Sequence, residues 1–198
     1  SFAVPVLASL TTISDSQVVG VYTPPDRPAG RGRQPQASPI KEYALEHDLP
    51  IFQPNNFRSE EVQDELAELK PDAIVVAAYG KLLPKPVLDV APLGCLNIHP
   101  SILPRYRGPS PVATCLLNGD LITGVTIMLL DEGMDTGPLI AQHEFFLKGN
   151  ETADGLTTEL FKLGGELLQE SLPQWQSGEL KSEPQDETKA SVTRKFER

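Results

Sequence analysis

The sequence predicts an α/β fold with a doubly wound, mostly parallel open sheet, and three observations support this prediction. Apolar segments typical of strands alternate along the chain with segments of helical spacing, as in sheets whose strands are joined by helices. The segment 73–79 is apolar throughout, which is typical of a strand covered on both faces. Polar loops at 99–109 and 132–137 follow later strand candidates, and open α/β sheets bind ligands at such strand ends.

Helix and strand candidates alternate before residue 80. Val62, Leu66 and Leu69 line one side of a helical segment whose other side is acidic. The expected elements are, in order, a helix, strand, helix, strand, helix and strand at 2–10, 17–22, 40–47, 50–53, 62–69 and 73–79.

The later elements end in a long amphipathic helix that follows Thr152. We expect, in order, a helix at 86–90, a strand at 95–98, a helix at 110–117, strands at 125–131 and 139–146, and this last helix at 152–167. From Ser177 onward the chain is polar. We therefore expect one domain at 1–176 and a linker or extension at 177–198.

The composition is that of a globular protein with an uneven distribution of charge. The 198 residues carry 27 acidic and 17 basic side chains, a formal net charge of −10, which argues against binding nucleic acid through the whole surface. The windows 27–41 and 90–119 hold six bases and no acids. We expect these basic loops to face the substrates and the acidic remainder to repel bulk RNA.

Cysteine, histidine and hydropathy patterns argue against a disulfide-rich, metal-binding, membrane-spanning or secreted protein. Cys95 and Cys115 are too few for a disulfide framework and are expected to be reduced core residues. The three histidines show no ligand spacing with the cysteines, so we predict no metal. No apolar run approaches the roughly 20 residues of a membrane span, and no signal-peptide pattern opens the chain. We expect a cytoplasmic monomer without membrane association.

Asn97 and His99 are two residues apart at the end of a strand candidate, so their side chains leave on the same side. An amide donor and an imidazole on one face can stabilise charge that develops on a carbonyl oxygen. A structural histidine that binds loop carbonyls explains the same spacing equally well.

Asp135 lies in a glycine-rich loop after a neighbouring strand candidate. A carboxylate there could orient His99, raise its pKa and relay protons. The alternative is an aspartate that shapes the turn, and Asp131 and Glu132 compete for the same role.

The segment 27–33 follows a strand candidate and carries three arginines with Gly30 and Gly32. It lacks the third glycine that opens the helix of a dinucleotide-binding motif, so we discount nucleotide binding through it. Arginines on such a loop suit phosphate contacts, although a merely solvated loop has the same composition.

Two motifs together, Asn97–Gly108 (NIHPSILPRYRG) and Asp131–Gly137 (DEGMDTG), resemble the folate-dependent formyltransferase family. The resemblance implies a Rossmann-like fold, 10-formyltetrahydrofolate as cosubstrate and no metal. It implies Asn97, His99 and Asp135 as the catalytic residues. It also implies folate contacts in two segments, at Ser101, Ile102, Leu103 and Pro104, and at Gly80, Leu82 and Leu83 within 78–84 (AYGKLLP).

Within this family, the segment 23–33 (TPPDRPAGRGR) followed by 38–41 (SPIK) resembles the insertion loop of the tRNA-directed members. This implies initiator methionyl-tRNA as partner and tRNA contacts at Arg27, Arg31, Arg33 and Lys41. It also implies that the first strand of the family, expected before Phe2, is missing. A carboxy-terminal tRNA-binding domain is expected beyond Arg198.

Other functions remain open at this stage. Family members that act on glycinamide ribonucleotide or on sugar nucleotides share the chemistry, but leave the arginine loop unexplained. A non-enzymatic folate- or RNA-binding module needs no trio of Asn97, His99 and Asp135. A dehydrogenase of the same fold class would need a glycine motif that the sequence lacks.

Overall fold

A computed structural model describes residues 2–29 and 34–196. The strands are β1 (Val21–Tyr22), β2 (Arg27–Ala29), β3 (Gln34–Gln36), β4 (Ile51–Phe52), β5 (Ile74–Ala77), β6 (Cys95–His99), β7 (Ile122–Leu129) and β8 (Leu139–Phe146). The helices are α1 (Val4–Leu10), α2 (Pro39–Glu46), α3 (Glu60–Glu68), α4 (Lys85–Leu88), α5 (Pro111–Leu117) and α6 (Ala153–Ser177), with a 3-10 turn at Glu187–Lys189. The expected alternation is confirmed, and the β2–β3 hairpin inside the arginine-rich loop is an addition to it.

The main sheet has the strand order β5-β6-β7-β8 and is open. β5 and β6 run parallel, whereas β7 is antiparallel to both of its neighbours. β1 and β4 form a second, parallel pair. The predicted open α/β sheet is confirmed, and its strand directions are mixed. β7 and β8 pair as antiparallel neighbours because a short loop, and no crossover helix, joins them.

A cavity of about 460 Å³ separates the two sheets and is lined by the facing edges of β1 and β5. Within the described residues, β1 pairs only with β4 and β5 only with β6. The residues of β5 are consequently half-buried, although their sequence is typical of a strand covered on both faces.

Helix α6 packs across the main sheet and forms the principal core with it. Apolar residues of β6 and β7 contact those of α6 and α1 in one cluster, which includes Leu96, Ile98, Val125, Ile127, Phe161, Leu168 and Val6. The helix begins after Thr152, whose Oγ1 accepts a hydrogen bond from Gly155 N at 3.2 Å, and ends at Gly178 with φ 75°. No helix among the described residues is long and apolar enough to cross a membrane.

Two adjacent glycines in the middle of α6 are explained by this packing. A Cβ added to Gly164 would lie 2.5 Å from Ile98 Cγ2, and one added to Gly165 would lie 2.5 Å from Ser9 Oγ. The helix therefore approaches the sheet on one side and α1 on the other more closely than alanine would permit.

We expect Gly164→Ala to lower the free energy of unfolding. Alanine favours the helix by about 1 kcal/mol over glycine, but overpacking against Ile98 costs about 1–3 kcal/mol, so a net loss of about 1 kcal/mol is expected at the middle of that range. Urea unfolding followed by circular dichroism measures the difference. An unchanged or increased stability would show that β6 and α6 can separate without cost.

Candidate active site

Asn97 and His99 lie on one face of β6 at its carboxyl end, as predicted. The alternation is visible in the core, because Leu96 and Ile98 point into the cluster formed with α6. His99 is buried, with 4% of its surface exposed, and Asn97 is partly exposed. Strand β6 thus presents an amide and an imidazole side by side.

Asp135 brings the two β6 side chains together. Its Oδ1 accepts a hydrogen bond from Asn97 Nδ2 at 3.4 Å, and its Oδ2 lies 3.7 Å from His99 Nδ1. The backbone N–H of Gly108 donates to the same Oδ2 at 2.8 Å. The three residues that the sequence singles out are therefore adjacent, although they come from two separate segments of the chain.

The competing acids of the same loop have other positions. Asp131 accepts hydrogen bonds from Gly133 N at 3.0 Å and from Thr136 Oγ1 at 2.8 Å, so it shapes the turn. Glu132 is exposed. Gly137 passes so close to β7 that an added Cβ would lie 2.0 Å from the carbonyl oxygen of Leu129. Asp135 is therefore the acid of this loop that reaches Asn97 and His99.

The tautomer of neutral His99 is determined by a backbone contact. His99 Nε2 lies 2.9 Å from the carbonyl oxygen of Tyr106, which can only accept, so Nε2 carries a proton. The lone pair of the neutral ring is then at Nδ1, the nitrogen that faces Asp135. His99 can accordingly gain or lose a proton at the atom beside the carboxylate.

The protonation state of His99 differs from the sequence-based expectation. Asp135 and the Tyr106 carbonyl each act to raise its pKa, but burial outweighs them and lowers the pKa of His99 below its ordinary value. The expectation of a net raised pKa is wrong, because a fully desolvated imidazole disfavours its charged form more than one carboxylate at 3.7 Å favours it. Burial therefore favours the neutral form of the imidazole.

This lowered pKa predicts a pH dependence of stability. Below the ordinary histidine pKa of about 6.5 the unfolded chain binds a proton at residue 99 that the folded chain does not, so acidification through this range favours unfolding. We expect His99→Gln to lose less stability than the wild type between about pH 7 and pH 5, as measured by urea unfolding. The same substitution at the exposed His143 is the matched control. If the free energy of unfolding of His99→Gln falls between pH 7 and pH 5 as steeply as that of the wild type, the prediction is contradicted.

A cavity of about 540 Å³ opens beside Asn97 and Asp135. Its wall is mostly apolar and includes Gly80, Leu82 and Leu83, three of the residues predicted to contact folate. The volume falls within the range of roughly 300–1,000 Å³ that is usual for small-molecule sites. His99 lies behind this wall, in contact with Asp135 and without lining the cavity itself.

The other predicted folate contacts, at 101–104, do not line this cavity. Ser101 and Leu103 are buried, and the hydroxyl of Ser101 donates to the carbonyl of Arg105 at 2.7 Å. Thr126 binds the same segment from β7, donating to Ser101 O at 2.6 Å and accepting from Leu103 N at 3.1 Å. In this structure the segment anchors the loop between His99 and Gly108. A folate contact for Ser101, Ile102, Leu103 and Pro104 stays a prediction.

Three bases of the two acid-free windows are in ion pairs. Lys41 Nζ lies 2.7 Å from Asp26 Oδ2, and Arg105 lies 3.1 Å from Asp120 Oδ2. Arg107, only 5% exposed, pairs with Glu187 at 2.7 Å. The charges of these three residues are therefore partnered, because Asp26 and Asp120, which border the windows, and the more distant Glu187 lie against them.

The arginines predicted to bind tRNA lie at the edge of the described structure. Arg27 belongs to β2, which pairs antiparallel with β3. Arg31 and Arg33 lie outside the described residues. Their role in binding tRNA stays a prediction, as does that of Lys41.

Several site residues escaped the sequence analysis. Tyr106 and Gly108 supply backbone groups, and Gln185 supplies a side-chain amide. The others form cavity surface: Leu88, Val112, Leu130 and Met134. Arg107 offered one signal, since an arginine inside a long acid-free and largely apolar window needs an acid from elsewhere. Among the described residues, no three His, Cys, Asp or Glu side chains are grouped so that they could hold a metal.

The chain is similar to known proteins over its whole length. Residues 2–172 match the family model described as formyl transferase. Methionyl-tRNA formyltransferase of Chloroflexus aggregans is 51% identical over 194 residues, which are 98% of this chain and 62% of the relative. The enzyme of the same name from Roseiflexus castenholzii is 48% identical over 198 residues, all of this chain and 63% of the relative. The chain thus spans less than two thirds of their length.

Solved structures agree with this relationship. Phosphoribosylglycinamide formyltransferase from Bacillus halodurans superposes with a TM-score of 0.71 at 26% identity, covering 87% of this chain and 89% of the other. HypX from Aquifex aeolicus in complex with tetrahydrofolic acid gives a TM-score of 0.63 at 25% identity, covering 77% of this chain and 26% of that one. Because the family model matches most of the sequence and the fold agrees, the chain belongs to the formyl transferase family.

Proposed function

We propose that the chain transfers the formyl group of 10-formyltetrahydrofolate to the α-amine of methionyl initiator tRNA, as a monomer in the cytoplasm. The observation that carries this proposal is the convergence of Asn97 and His99 on the carboxylate of Asp135 at the wall of a cavity. The names of the relatives at about 50% identity favour methionyl-tRNA as acceptor.

Asn97 is the proposed oxyanion donor. Attack of the neutral amine on the formyl carbon makes a tetrahedral centre with a negative oxygen, and the amide N–H groups of Asn97 face the same cavity as Asp135. One of these N–H groups is directed to Asp135 at a long 3.4 Å, which leaves the amide free to donate to a substrate oxygen. Donors of this kind act on charge that is present only in the transition state.

His99 and Asp135 are the proposed proton relay. As the new C–N bond forms, the attacking amine gives up a proton, and Asp135 at the cavity wall passes it to the lone pair on His99 Nδ1. The imidazolium then faces the Asp135 carboxylate, which stabilises its charge behind the cavity wall. The proton returns to N10 of the folate as the bond from that nitrogen to the formyl carbon breaks. The balance is one C–N bond made, one broken and one proton moved.

The cavity suits a folate cosubstrate. Apolar side chains, among them Leu83, Leu88 and Leu130, can cover a flat heteroaromatic ring, while Asn97 and Asp135 meet its polar edge. Acyl transfer moves a carbonyl carbon without a change of oxidation state, so the proposed reaction needs no redox group. We propose that this cavity places the formyl carbon beside Asn97.

The arginine-rich loop is the proposed tRNA contact. We expect Arg31→Ala to weaken methionyl-tRNA binding and to reduce the salt dependence of log Kd by about 1, because one phosphate contact is lost. Folate affinity is expected to stay at the wild-type value. Arg58→Ala, which removes an exposed arginine outside this loop, is the control. An unchanged salt slope in Arg31→Ala would count against the loop as a tRNA contact.

The acceptor is tested by supplying 10-formyltetrahydrofolate with methionyl-tRNA, with glycinamide ribonucleotide or with no acceptor. We expect release of tetrahydrofolate with methionyl-tRNA alone. Turnover with glycinamide ribonucleotide would assign the chain to the activity named in the Bacillus halodurans structure. No turnover, with folate or RNA bound, would indicate a binding module.

A further inference from the structure

The segment 183–193, here called the strap, crosses both loops that form the active site. At one end Leu139 and Glu183 exchange two backbone hydrogen bonds of 2.7 and 2.8 Å at the start of β8. At the other end Arg107 N donates to Ser191 O at 2.8 Å, and Thr193 N donates to Arg107 O at 2.7 Å. The strap therefore joins the Asp135 loop to the loop that carries Tyr106 and Gly108.

Gln185 is the side chain of the strap that reaches the Asp135 loop. It is 9% exposed, and its Nε2 donates to the carbonyl oxygens of Asp135 at 2.9 Å and of Gly137 at 2.7 Å. Its Oε1 accepts from Arg107 Nε at 3.0 Å and Nη2 at 2.8 Å. Both ends of the amide are thus used, one on each active-site loop.

These contacts stabilise two residues whose backbone conformations are unfavourable on their own. Asp135 has φ 57° and Tyr106 has φ 63°, in the left-handed region that residues with a Cβ rarely adopt. Gln185 binds the carbonyl of Asp135, and Ser191 Oγ accepts from Tyr106 N at 2.9 Å. The two residues so held are the ones whose carboxylate and carbonyl contact His99.

We propose that Gln185 is a positioning residue for the formyl-transfer reaction: it holds the main chain of Asp135 so that the carboxylate reaches Asn97 and His99 together. The strap is then part of the catalytic apparatus and not a linker. The expected effect on the reaction rate rests on the proposed function. The expected effect on the position of Asp135 rests on the contacts of Gln185 alone.

The test is Gln185→Met, which removes all four hydrogen bonds without adding charge. We expect the single-turnover rate at saturating substrates to fall by about 10²-fold with KM within a few-fold of wild type, because displaced catalytic groups slow the chemical step. The pKa of His99, followed by NMR of its ring protons, is expected to move because its distance to Asp135 changes. Gln174→Met, the same change on the exposed side of α6, is the control and should behave as wild type.

A second variant distinguishes a loss of positioning from a loss of folding in Gln185→Met. Gln185→Glu keeps the acceptor for Arg107 but places a carboxylate oxygen in place of both donors to the Asp135 loop, so its rate is expected to stay reduced. Circular dichroism of both variants at the assay temperature verifies that each is folded. Wild-type rate and His99 titration in both variants would overturn the proposal. If the wild-type chain formylates no methionyl-tRNA, the proposed function fails, and the His99 titration, which needs no substrate, still decides the role of Gln185.

Discussion

Asp135→Asn is expected to reduce the single-turnover rate of formyl transfer by about 10²–10⁴-fold, the usual contribution of a positioned general acid or base. Asparagine retains the shape of the side chain but removes the charge that faces His99 and one of the two oxygens that accept from Asn97 Nδ2 and Gly108 N. Rapid-quench measurement with enzyme in excess over labelled folate isolates this step from product release.

The matched control lies in the same loop. Glu132→Gln is the same chemical change at an exposed position three residues earlier, and we expect its rate to remain within a few-fold of wild type. Equal rates for Asp135→Asn and Glu132→Gln would remove Asp135 from the proton relay.

Asn97→Ala is expected to lower the same rate by about 10²–10³-fold, as the loss of one oxyanion donor does. The affinity for the folate cosubstrate should change less, because the donor acts mainly on charge that develops during the reaction. Equilibrium binding and single-turnover kinetics on the same variant separate the two effects. Asn150→Ala, at an exposed position before α6, is the control, and equal rates for the two alanine variants would contradict the assignment.

Helices and strands could be predicted wherever the spacing of apolar residues within the segment itself marks the face that it buries. Helix α6 was expected from its leucine stripe, and β6 from the alternation that separates Leu96 and Ile98 from Asn97 and His99. The mixed strand directions were not expected, because the direction of β7 depends on pairing between segments that no local pattern encodes. The half-buried state of β5 likewise depends on what lies beside it, and not on its own residues.

The site was predictable as far as side-chain chemistry goes. Type and spacing indicate Asn97 and His99 and leave three acids of the 131–135 loop open, and the family resemblance implies Asp135 among them. The three residues Asn97, His99 and Asp135 are adjacent in the structure. The backbone partners Tyr106 and Gly108 were not, since a carbonyl or an N–H group carries no signal in the residue name. Gln185 was missed for a related reason: 48 or more residues separate it from the carbonyls that it binds, within a segment that reads as a polar extension.

The protonation state of His99 shows how burial changes a chemical inference. Proximity to an acid predicted a raised pKa, and the acid is indeed nearby, but desolvation is the larger effect. In the proposed reaction the imidazole therefore acts first as a base at Nδ1, and this nitrogen becomes a donor only after it has taken up a proton. The sequence could indicate the acid beside His99, but how deeply the two side chains are buried depends on tertiary packing.

The central claim is tested most directly by following the formyl carbon itself. Wild-type chain is mixed with 10-formyltetrahydrofolate labelled in the formyl group and with methionyl initiator tRNA, and the aminoacyl ester is released and identified by mass spectrometry. The proposed function predicts labelled N-formylmethionine with the wild type, and a loss of about 10²-fold or more in its rate of formation with Asp135→Asn. Unlabelled methionine alone, in the presence of folded chain that binds both substrates, would contradict it.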